Sequence, residues 1–517
     1  MNIADILSRH ATSFGDRLAI VERRRRITFA ELNRAAMSAA VQLSDAGLAA
    51  GTPALVVCPM SIDLYVTMIG LFRLGAVAVF LDPSAGGATL AGGIARVRPE
   101  AFIGIPRAHL LRLTSTAVRA IPIRIAMGGW VPGARTLAGR ATSSAPPVAS
   151  CCNGEPAIIT FTSGTTGAAR AVARSHGFLR AQHSAIADSL RLTPGEVDLT
   201  TLPIFLLANL ASGLTSIIPD ADLRAPGRID PLPVLDQIRS ERPSRTVASP
   251  ALLEQLASGA ARTGEPLGTL RKVFTGGAPV FPRTLDALAA IAPNASITAV
   301  YGSTEAEPIA CIERQEICSA DRVAMQRGAG VLVGRPAPSI RVRILPDRWG
   351  TPIPPVAPSE FDRDTLPLRR AGEIVVSGAH VVPGYLDGEG NEGTKILVGG
   401  EVWHRTGDAG YVDGEGRLWL LGRCSARVTD DDGVQYPLAV ECAASGVSGV
   451  RRSAFLQHRG RRVLVVETDP TDAFPRRSLV DQLAWAHLEE IIPIHRIPVD
   501  RRHNAKIDLA ALRDTLA

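Results

Sequence analysis

Residues 155–167 read EPAIITFTSGTTG, a short apolar strand that leads into a loop of glycine and hydroxyl residues. Glycine lets backbone N–H groups approach a ligand closely and the hydroxyls add neutral donors, so residues 162–167 can surround a polyphosphate. Arg170 follows the last glycine and can supply positive charge. The loop lacks the GxxxxGK[ST] pattern of P-loop NTPases. A phosphate-binding loop and a plain surface turn are therefore the two interpretations.

On both sides of this loop the chain alternates between strand and helix patterns. Residues 27–50 predict an amphipathic helix that starts at Thr28 and closes near Gly47, and ALVVCP, a helix through Leu64–Leu74 and AVAVFLDP follow. Downstream, RTVASP, PALLEQLASGAA and RKVFTGG repeat the order strand, helix, strand. Such alternation predicts an α/β fold with a parallel sheet and right-handed crossovers.

Beyond residue 330 the segments become short, β-rich and interrupted by glycine and proline, which is typical of a small antiparallel sheet or barrel. Residues 346–367 are rich in proline and charge and predict an exposed loop. The last ninety or so residues contain a strand, RRVLVVETD, a long helix, RSLVDQLAWAHLEEII, and a basic tail. We therefore expect a large N-terminal domain over residues 1–421 and a small, mobile α+β lid domain over residues 422–517.

Composition excludes several classes of protein. The 517 residues are too many for one hydrophobic core, and 46% hydrophobic with 21% charged residues excludes disordered, collagen-like and coiled-coil chains. An aromatic content of 4% and scattered arginines disfavour nucleic-acid binding. Seven cysteines without zinc spacing favour a reducing compartment, and the uncharged stretch 199–219 is broken by Pro203 and Asn209. We expect a soluble, cytoplasmic protein with no transmembrane segment.

Six motifs occur in the order that is typical of the ANL superfamily of adenylate-forming enzymes, which includes acyl-CoA synthetases, adenylation domains and luciferases. The resemblance therefore covers nearly the whole chain, and it implies ATP as substrate and Mg²⁺ as cofactor. The motifs are TSGTTG (162–167), GGAP (276–279), YGSTE (301–305), TGD (406–408), GR (422–423) and the lysine of HNAKID (506).

The resemblance also implies a role for each motif. The phosphate loop, with Arg170, is expected to hold the β- and γ-phosphates of ATP; its residues are Thr162, Ser163, Gly164, Thr165, Thr166 and Gly167. The adenine-contacting segment is expected to be Gly276, Gly277, Ala278 and Pro279, and the segment beside it Tyr301, Gly302 and Ser303, with Tyr301 stacked near adenine.

The remaining motif residues carry the chemistry that the resemblance implies. Thr304 is expected to contact the α-phosphate, and Glu305 to bind Mg²⁺, a hard ion that prefers carboxylate and phosphate oxygens. Asp408, helped by Arg423, is expected to accept hydrogen bonds from the ribose hydroxyls. Lys506 is expected to bridge the carboxylate and the α-phosphate, where it stabilises charge that develops in the transition state.

The chain departs from the superfamily pattern at several positions. Ala169 and Arg170 replace the usual proline and lysine after the phosphate loop, and arginine keeps the charge but changes the geometry. Ala426 and Thr429 replace hinge residues, and Ala505 replaces the glycine before the catalytic lysine. These changes put in doubt the domain rotation that CoA ligases use for thiolation and leave adenylation intact.

The acid substrate is indicated by two features. Residues 203–207 lack the acidic side chain that would pair with an amino-acid ammonium, and the apolar run 204–210 either binds an acyl chain or simply forms core. PEAFIGIPRAHL, the block 202–223, GRCSARV and DRRHNAKI resemble the β-lactone synthetases of bacterial long-chain olefin biosynthesis. That resemblance implies adenylation of a 2-alkyl-3-hydroxy fatty acid, closure to a β-lactone, and partner enzymes of a lipid pathway. A fatty acyl-CoA ligase and a non-catalytic nucleotide-binding scaffold are the alternatives.

Overall fold

The computed structural model describes residues 2–82, 86–137, 148–163, 169–468, 473–500 and 506–516. By its contacts the chain divides into two compact units. Unit 1 comprises Met1–Pro219 and Gly384–Asn391, and unit 2 comprises Asp220–Pro383 and Glu392–Ala517. These two units do not test the domain boundary expected after residue 421, and that boundary stays a prediction.

Unit 1 begins with a helix and then alternates strands with helices. Its helices are α1 (Ala4–Phe14), α2 (Phe29–Asp45), α3 (Ile62–Leu74), α4 (Gly87–Val97), α5 (Leu111–Thr114), α6 (Thr116–Arg119), α7 (His176–Ser189) and α8 (Pro203–Ser212). Its strands are β1 (Leu18–Glu22), β2 (Arg25–Thr28), β3 (Pro53–Val57), β4 (Val77–Phe80), β5 (Ala101–Gly104), β6 (Ile123–Met127), β7 (Arg135–Leu137), β8 (Pro156–Ser163), β9 (Ala169–Ser175), β10 (Val197–Thr200) and β11 (Thr215–Ile218).

Among the described residues of unit 1, one sheet has the strand order β7-β6-β5-β3-β4-β8-β9. All neighbours in it are parallel except β8 and β9, so the predicted parallel α/β sheet is confirmed. The pattern at residues 27–50 also predicts its helix correctly. Thr28 caps α2 in a capping box, in which its hydroxyl accepts from the Glu31 N–H and the Glu31 carboxylate accepts from the Thr28 N–H.

Unit 2 contains the β-rich half of the chain. Its strands are β12 (Arg245–Ala248), β13 (Lys272–Gly276), β14 (Ser296–Ser303), β15 (Ala306–Glu313), β16 (Val331–Pro336), β17 (Arg341–Leu345), β18 (Gly372–Ser377), β19 (Lys395–Val398), β20 (Glu401–Val412), β21 (Leu418–Arg423), β22 (Val428–Asp430), β23 (Gly433–Gln435), β24 (Val450–His458), β25 (Arg461–Thr468) and β26 (Glu490–Ile494). Its helices are α9 (Pro231–Glu241), α10 (Pro250–Thr263), α11 (Pro282–Ile291), α12 (Ser319–Gln326), α13 (Pro358–Asp364), α15 (Pro437–Ser445), α16 (Arg476–Gln482) and α17 (Leu509–Leu516), and α14 (Asn391–Thr394) lies where the chain passes between the units.

The sheet of unit 2 changes direction at β14. Strands β12, β13 and β14 are parallel, whereas β15, β16, β21, β20, β18 and β17 continue the sheet as antiparallel neighbours. The change follows from the short connection between β14 and β15, because antiparallel strands can be joined by a two-residue turn and parallel strands cannot. The antiparallel sheet predicted beyond residue 330 is therefore confirmed.

The C-terminal part of unit 2 is a small α+β domain, as predicted. The prediction of one long helix over RSLVDQLAWAHLEEII is wrong. Helix α16 ends at Gln482, a short 3₁₀ turn follows, and His487 adopts a left-handed conformation with φ 51°. The next residues form β26, which pairs in parallel with β25 and buries Ile491. Pro493 also disfavours a helix at this point, because proline lacks the N–H that a helix interior requires.

The structure corrects the loop predicted for residues 346–367 and shows how the uncharged stretch 199–219 folds. Residues 346–367 are not simply an exposed loop, because Phe361 of α13 is buried and its ring lies 4.9 Å from that of Trp403. The uncharged stretch 199–219 folds into the end of β10, α8 and β11. In the described part of the chain, no helix combines the length and the apolar character that crossing a bilayer requires.

Candidate active site

The glycine-rich segment 276–279 and Tyr301 follow neighbouring parallel strands. Gly276 at the end of β13 pairs with Val300 near the end of β14, and a Cβ atom at Gly276 would collide with the Val300 carbonyl oxygen. Gly277 has φ +83°, a conformation that favours glycine. Because parallel strands present their carboxyl ends at one sheet edge, residues 276–279 lie at the same edge as Tyr301.

The YGSTE segment forms the tight connection between β14 and β15. Ser303 pairs with Ala306, so Thr304 and Glu305 are the two residues of the turn. Thr304 is exposed and Glu305 is half-buried, and the Glu305 carbonyl oxygen accepts a hydrogen bond from the Val382 N–H at 2.8 Å. Among the described residues, the buried Ser303 hydroxyl has no hydrogen-bond partner. The Ser303 hydroxyl is therefore free to form a hydrogen bond with a polar ligand, and the exposed Thr304 lies next to it in the chain.

Asp408 joins Tyr301 to Arg423. The Tyr301 hydroxyl donates to Asp408 Oδ2 at 2.8 Å, and Arg423 Nε lies 3.2 Å from Asp408 Oδ1. Asp408 and Arg423 are also register partners on β20 and β21. Burial, followed by the negative charge of Asp408, raises the pKa of Tyr301 well above its ordinary value, so its phenol remains a donor. The structure thus brings Tyr301 together with two residues that lie more than a hundred positions further along the chain.

Lys506 belongs to the same neighbourhood. Its backbone is held by Asp500, whose N–H donates to the Lys506 carbonyl at 2.8 Å and whose carboxylate accepts from the Lys506 N–H at 3.0 Å. The residue is exposed, yet protein atoms crowd its ammonium, and this desolvation together with the positive charge of Arg423 lowers its pKa. Asp408 and Glu305 act in the opposite direction, so both carboxylates lie within electrostatic reach of the ammonium.

The phosphate-loop residues belong to unit 1. Strands β8 and β9 are antiparallel neighbours that pair Thr162 with Arg170. Gly164, Thr165, Thr166 and Gly167 lie outside the described residues. The Arg170 guanidinium lies over the Tyr385 ring at 5.2 Å from its centroid, a cation–π contact.

The donor set fits Mg²⁺ only if a phosphate ligand shares the ion. The described residues contain no group of three His, Cys, Asp or Glu side chains that could hold a metal by themselves. Mg²⁺ is commonly held by one or two carboxylates together with substrate phosphates and water. The single half-buried carboxylate of Glu305 is compatible with that arrangement.

Sequence reasoning missed two sets of residues that support the site. Thr406 positions Asp408, because its hydroxyl accepts from the Asp408 N–H at 3.1 Å and donates to the Ile374 carbonyl at 2.8 Å. Asp347, in the loop after β17, accepts from Arg427 Nη1 at 3.1 Å and from the Tyr436 hydroxyl at 2.9 Å. The TGD motif was a signal for Thr406, whereas nothing in the local sequence indicates Asp347.

The apolar run 204–210 mainly forms core in helix α8. Phe205, Leu206 and Leu210 are buried. Asn209 is also buried, and its Nδ2 donates to Asp198 Oδ2, Thr200 Oγ1 and Ser216 Oγ at 3.0–3.1 Å. The structure therefore supports the core interpretation for these positions.

Comparison with known proteins agrees with this arrangement. The model of the AMP-binding enzyme family matches residues 7–386. The chain is 33% identical to an olefin β-lactone synthetase of Stenotrophomonas maltophilia and 34% identical to one of Xanthomonas campestris, in each case over 93% of this chain and 89% of the relative. It is also 27% identical to a 4-coumarate–CoA ligase-like protein of Oryza sativa, over 77% of this chain and 70% of the relative.

Among solved structures, the amide bond synthetase McbA of Marinactinospora thermotolerans has the same fold. Its TM-score is 0.82 at 24% identity, and the alignment covers 99% of each chain. The expected fold class is confirmed by this similarity and by the mixed sheets of both units. From the family match, which spans well over half of the chain, and from the long similarity to the two synthetases, it follows that this chain belongs to the AMP-binding enzyme family and is an ATP-dependent, acyl-adenylate-forming ligase.

Proposed function

We propose that the protein activates a long-chain 2-alkyl-3-hydroxy fatty acid as its acyl-adenylate and closes the acid to a β-lactone. The observation that carries this proposal is the 33–34% identity, over 93% of the chain, to two relatives that are named olefin β-lactone synthetases. The grouping of Tyr301, Asp408, Arg423 and Lys506 supports the adenylation step on which closure depends.

In the first step, a carboxylate oxygen of the acid attacks the α-phosphorus of ATP and the bond to pyrophosphate breaks. Lys506 stabilises the negative charge that grows between the carboxylate and the α-phosphate, with Thr304 as a further contact to that phosphate. Asp408, held by Tyr301 and Arg423, accepts hydrogen bonds from the ribose hydroxyls. Residues 276–279 contact the adenine, and residues 162–167 with Arg170 hold the outer phosphates.

Glu305 is the proposed carboxylate ligand of Mg²⁺. When bound, Mg²⁺ neutralises part of the phosphate charge that would otherwise repel the incoming carboxylate. The contribution of the chain is to present one half-buried carboxylate in a two-residue turn whose backbone is held by the Val382 N–H.

In the second step, the 3-hydroxyl oxygen of the bound substrate attacks its own acyl carbon. The bond between that carbon and the AMP oxygen breaks, AMP leaves with the electron pair, and the hydroxyl proton passes to solvent. Nucleophile and acyl group are already joined, so the step avoids the entropic cost of bringing two molecules together. The overall change in the acid is the loss of one water, and no CoA is consumed.

A fatty acyl-CoA ligase is the second candidate. The similarity to a 4-coumarate–CoA ligase-like protein favours it, at lower identity and over less of the chain than the similarity to the lactone synthetases. In this case the acyl-adenylate would react with the thiol of CoA in place of the internal hydroxyl. The two functions share the first step and differ in the second nucleophile.

The deciding experiment is mass spectrometry of the products from ATP, Mg²⁺ and a long-chain 2-alkyl-3-hydroxy acid, with and without CoA. We expect AMP and a product that equals the acid minus water, formed equally well without CoA. An acyl-CoA that appears only when CoA is present would assign the protein to the ligases. If neither product forms, the same assay with plain 3-hydroxy and ordinary fatty acids tests whether the acid was the wrong one.

A further inference from the structure

Residues 101–154 carry positive charge without any acidic residue. The segment contains six arginines and no Asp or Glu, although the chain has 50 acidic residues in 517, a density that predicts about five in 54 residues. Its first part, residues 101–137, lies in unit 1 and includes β5, α5, α6, β6 and β7. No residue of this part belongs to the six motifs, so the adenylation site does not account for its charge.

Three large apolar side chains of the same part are exposed. Leu110 and Leu113 are 57% and 72% exposed, and Trp130, in the loop after β6, is 74% exposed. Leu110 and Leu113 follow the exposed Arg107 at intervals of three in two consecutive helical turns, a 3₁₀ turn and α5. Residues three apart lie on the same side of such turns, so the two leucines share a face with an arginine.

The loop that carries Trp130 lies against these helical turns. Arg112 Nη1 donates to the Pro132 carbonyl at 3.2 Å, and a Cβ atom at Gly129 would approach Pro106 Cγ to 2.9 Å. In the chain, Trp130 lies between these two points of contact. The exposed indole and the two leucines therefore belong to one region of the surface, and adjacent exposed apolar side chains mark an interaction site.

Arginines surround these apolar side chains. Arg119 Nε and Nη2 donate to the carbonyls of Arg112 and Leu113 at 2.8 and 3.0 Å, so its charge lies at the end of α5. Desolvation, followed by the positive charge of Arg124, lowers the pKa of Arg112, so these two cations are near each other. Within the part of the chain that the structure describes, no carboxylate lies within ion-pair distance of these three guanidinium groups or that of Arg107.

One acidic side chain near the loop is already neutralised. Asp63 Oδ2 lies 3.6 Å from the position that a Cβ atom would take at Gly128. Each carboxylate oxygen of Asp63 accepts a hydrogen bond from Arg25 at 2.8 Å. The surface around Trp130 therefore has a net positive charge.

An anionic lipid bilayer complements both the charge and the apolar side chains. Its phosphate groups attract arginine, and tryptophan and leucine side chains enter the boundary between the head groups and the acyl chains. A nucleic acid would match the charge but would leave the two leucines without an apolar partner, because proteins bind single strands by stacking bases on aromatic rings. The combination of leucine, tryptophan and arginine thus favours the bilayer.

We propose that this region docks the protein onto an anionic membrane surface, and we call it the basic–apolar patch. Leu110, Leu113 and Trp130 enter the head-group boundary, and the arginines contact lipid phosphates. The contact is peripheral, since the patch lies on one leaflet and does not cross the bilayer. The inference is independent of which acid the enzyme activates, because no patch residue is assigned to adenylation. The patch consists of Arg107, Leu110, Leu113, Arg119, Arg124 and Trp130.

The first test is flotation of the full-length protein with large unilamellar vesicles. One set of vesicles is pure phosphatidylcholine, and the other is an equal mixture of phosphatidylcholine and phosphatidylglycerol. We expect at least tenfold tighter binding to the mixed vesicles at about 0.1 M salt, and a loss of this preference at about 1 M salt, because salt screens exposed charges. Equal binding to both kinds of vesicle, or binding to neither, would overturn the proposal.

Three single variants test which side chains make the contact. Arg107→Gln should weaken binding to the mixed vesicles about fivefold, and Leu113→Ser and Trp130→Ser about tenfold each. The matched controls are Arg9→Gln, at an exposed arginine of α1, and Leu232→Ser, at a leucine of α9 that is 42% exposed. Thermal unfolding checks the fold of each variant. Losses no larger than those of the controls would contradict the patch.

Tryptophan fluorescence gives an independent measure of insertion. We expect the emission to shift to shorter wavelength when mixed vesicles are added, and brominated lipids to quench it, because the exposed indole of Trp130 moves out of water. Both effects should be lost in Trp130→Ser, although four other tryptophans remain. Unchanged emission from vesicle-bound protein would overturn the proposal, since the contact would then involve charge alone.

Two other partners are distinguished by the same proteins. Binding of a single-stranded RNA oligonucleotide without binding of vesicles would assign the patch to nucleic acid. Self-association in the absence of lipid that Trp130→Ser abolishes would assign it to a second copy of the chain. Either result would overturn the membrane assignment, and neither depends on whether the enzyme forms a lactone.

Discussion

Both carboxylate oxygens of Asp408 are in use, one by the Tyr301 hydroxyl and the other by Arg423. The side chain is still 13% exposed, so the carboxylate can accept further hydrogen bonds from a ligand. Asp408→Ala should raise the dissociation constant of ATP about 10- to 100-fold, because hydrogen bonds to a charged group contribute about 1.5–3 kcal/mol. Calorimetric titration with a non-hydrolysable ATP analogue measures the change.

Tyr301→Phe is the control for this prediction, since it removes one hydrogen bond of Asp408 and retains the carboxylate. We expect a smaller loss of affinity, of about threefold to tenfold. Unchanged ATP affinity in Asp408→Ala would refute the ribose assignment.

For Lys506 the prediction concerns rate and pH. Lys506→Ala should slow adenylation about 10²- to 10³-fold while ATP still binds, because the ammonium acts on charge in the transition state.

Crowding and Arg423 lower the pKa of this lysine, and the charged form is the active one, so kcat/KM should fall at high pH earlier than for an ordinary lysine. Lys506→Arg should keep its charge through that range and lose the alkaline decline. Pyrophosphate exchange as a function of pH would show both effects, and a wild-type rate in Lys506→Ala would exclude the residue from the chemistry.

At the scale of single elements, helix α15 carries a buried acid. Glu441 Oε1 accepts from the Phe455 N–H at 3.1 Å, and burial raises the pKa of Glu441 to about 7 from 4.5. The folded state therefore binds more protons than the unfolded state between these values, so stability decreases as pH rises from about 4.5 to 7.

Glu441→Gln should remove this pH dependence, because glutamine keeps an acceptor for the Phe455 N–H without a titrating proton. Above pH 7 we expect the variant to be more stable than the original protein by up to about 3 kcal/mol, and near pH 4.5 the two should differ little. Thermal unfolding of both proteins between pH 5 and 8 measures the difference. A constant difference at every pH would exclude titration of Glu441 as its cause.

Most elements were predictable because their apolar residues follow a local period. Helix α2 has both a helical period and the Thr28 capping box, and β3 and β4 are continuous apolar runs. The helix predicted over RSLVDQLAWAHLEEII failed because its last part is stabilised by pairing with β25, a partner distant in sequence. Local spacing contains no information about such a partner.

The sequence predicted which residues form the candidate site, but it did not predict the hydrogen bonds between them. Tyr301, Asp408, Arg423 and Lys506 were all named from motifs, and the resemblance to a known superfamily supplied their roles. The hydrogen bond between Tyr301 and Asp408, and the support of Asp408 by Thr406, depend on the pairing of strands that no motif encodes.

At the scale of the molecule, several contacts within unit 2 attach the C-terminal segment that carries Lys506. Arg283 donates to the carbonyl oxygens of Ser445, Val450 and Arg451, and Gln482 Nε2 donates to the Gln326 carbonyl at 2.8 Å. Asp347 ties Arg427 and Tyr436, on either side of β22 and β23, to the loop after β17. These contacts connect residues 427–436 to the sheet that carries Asp408.

Asp347→Ala should loosen that connection. We expect amide hydrogen exchange over residues 424–436 to accelerate about tenfold, since two hydrogen bonds to a nearly buried carboxylate are lost. Adenylation should slow through kcat more than through the KM for ATP, because Lys506 is less well positioned. Asp364→Ala is the control, as Asp364 is exposed and lies 3.9 Å from its partner Arg348. Exchange that is no faster than in the control would refute the role of Asp347.

The crowded ammonium of Lys506 has a practical consequence in a chain with only three lysines and 53 arginines. A lowered pKa leaves more of this side chain as the free amine near neutral pH, and the free amine is the form that reacts with activated esters. An amine-directed reagent therefore meets few competing lysine side chains, and Lys506 is the one whose neighbourhood the nucleotide should cover. Protection of a single lysine peptide would then report occupancy of the adenylation site directly, without any turnover.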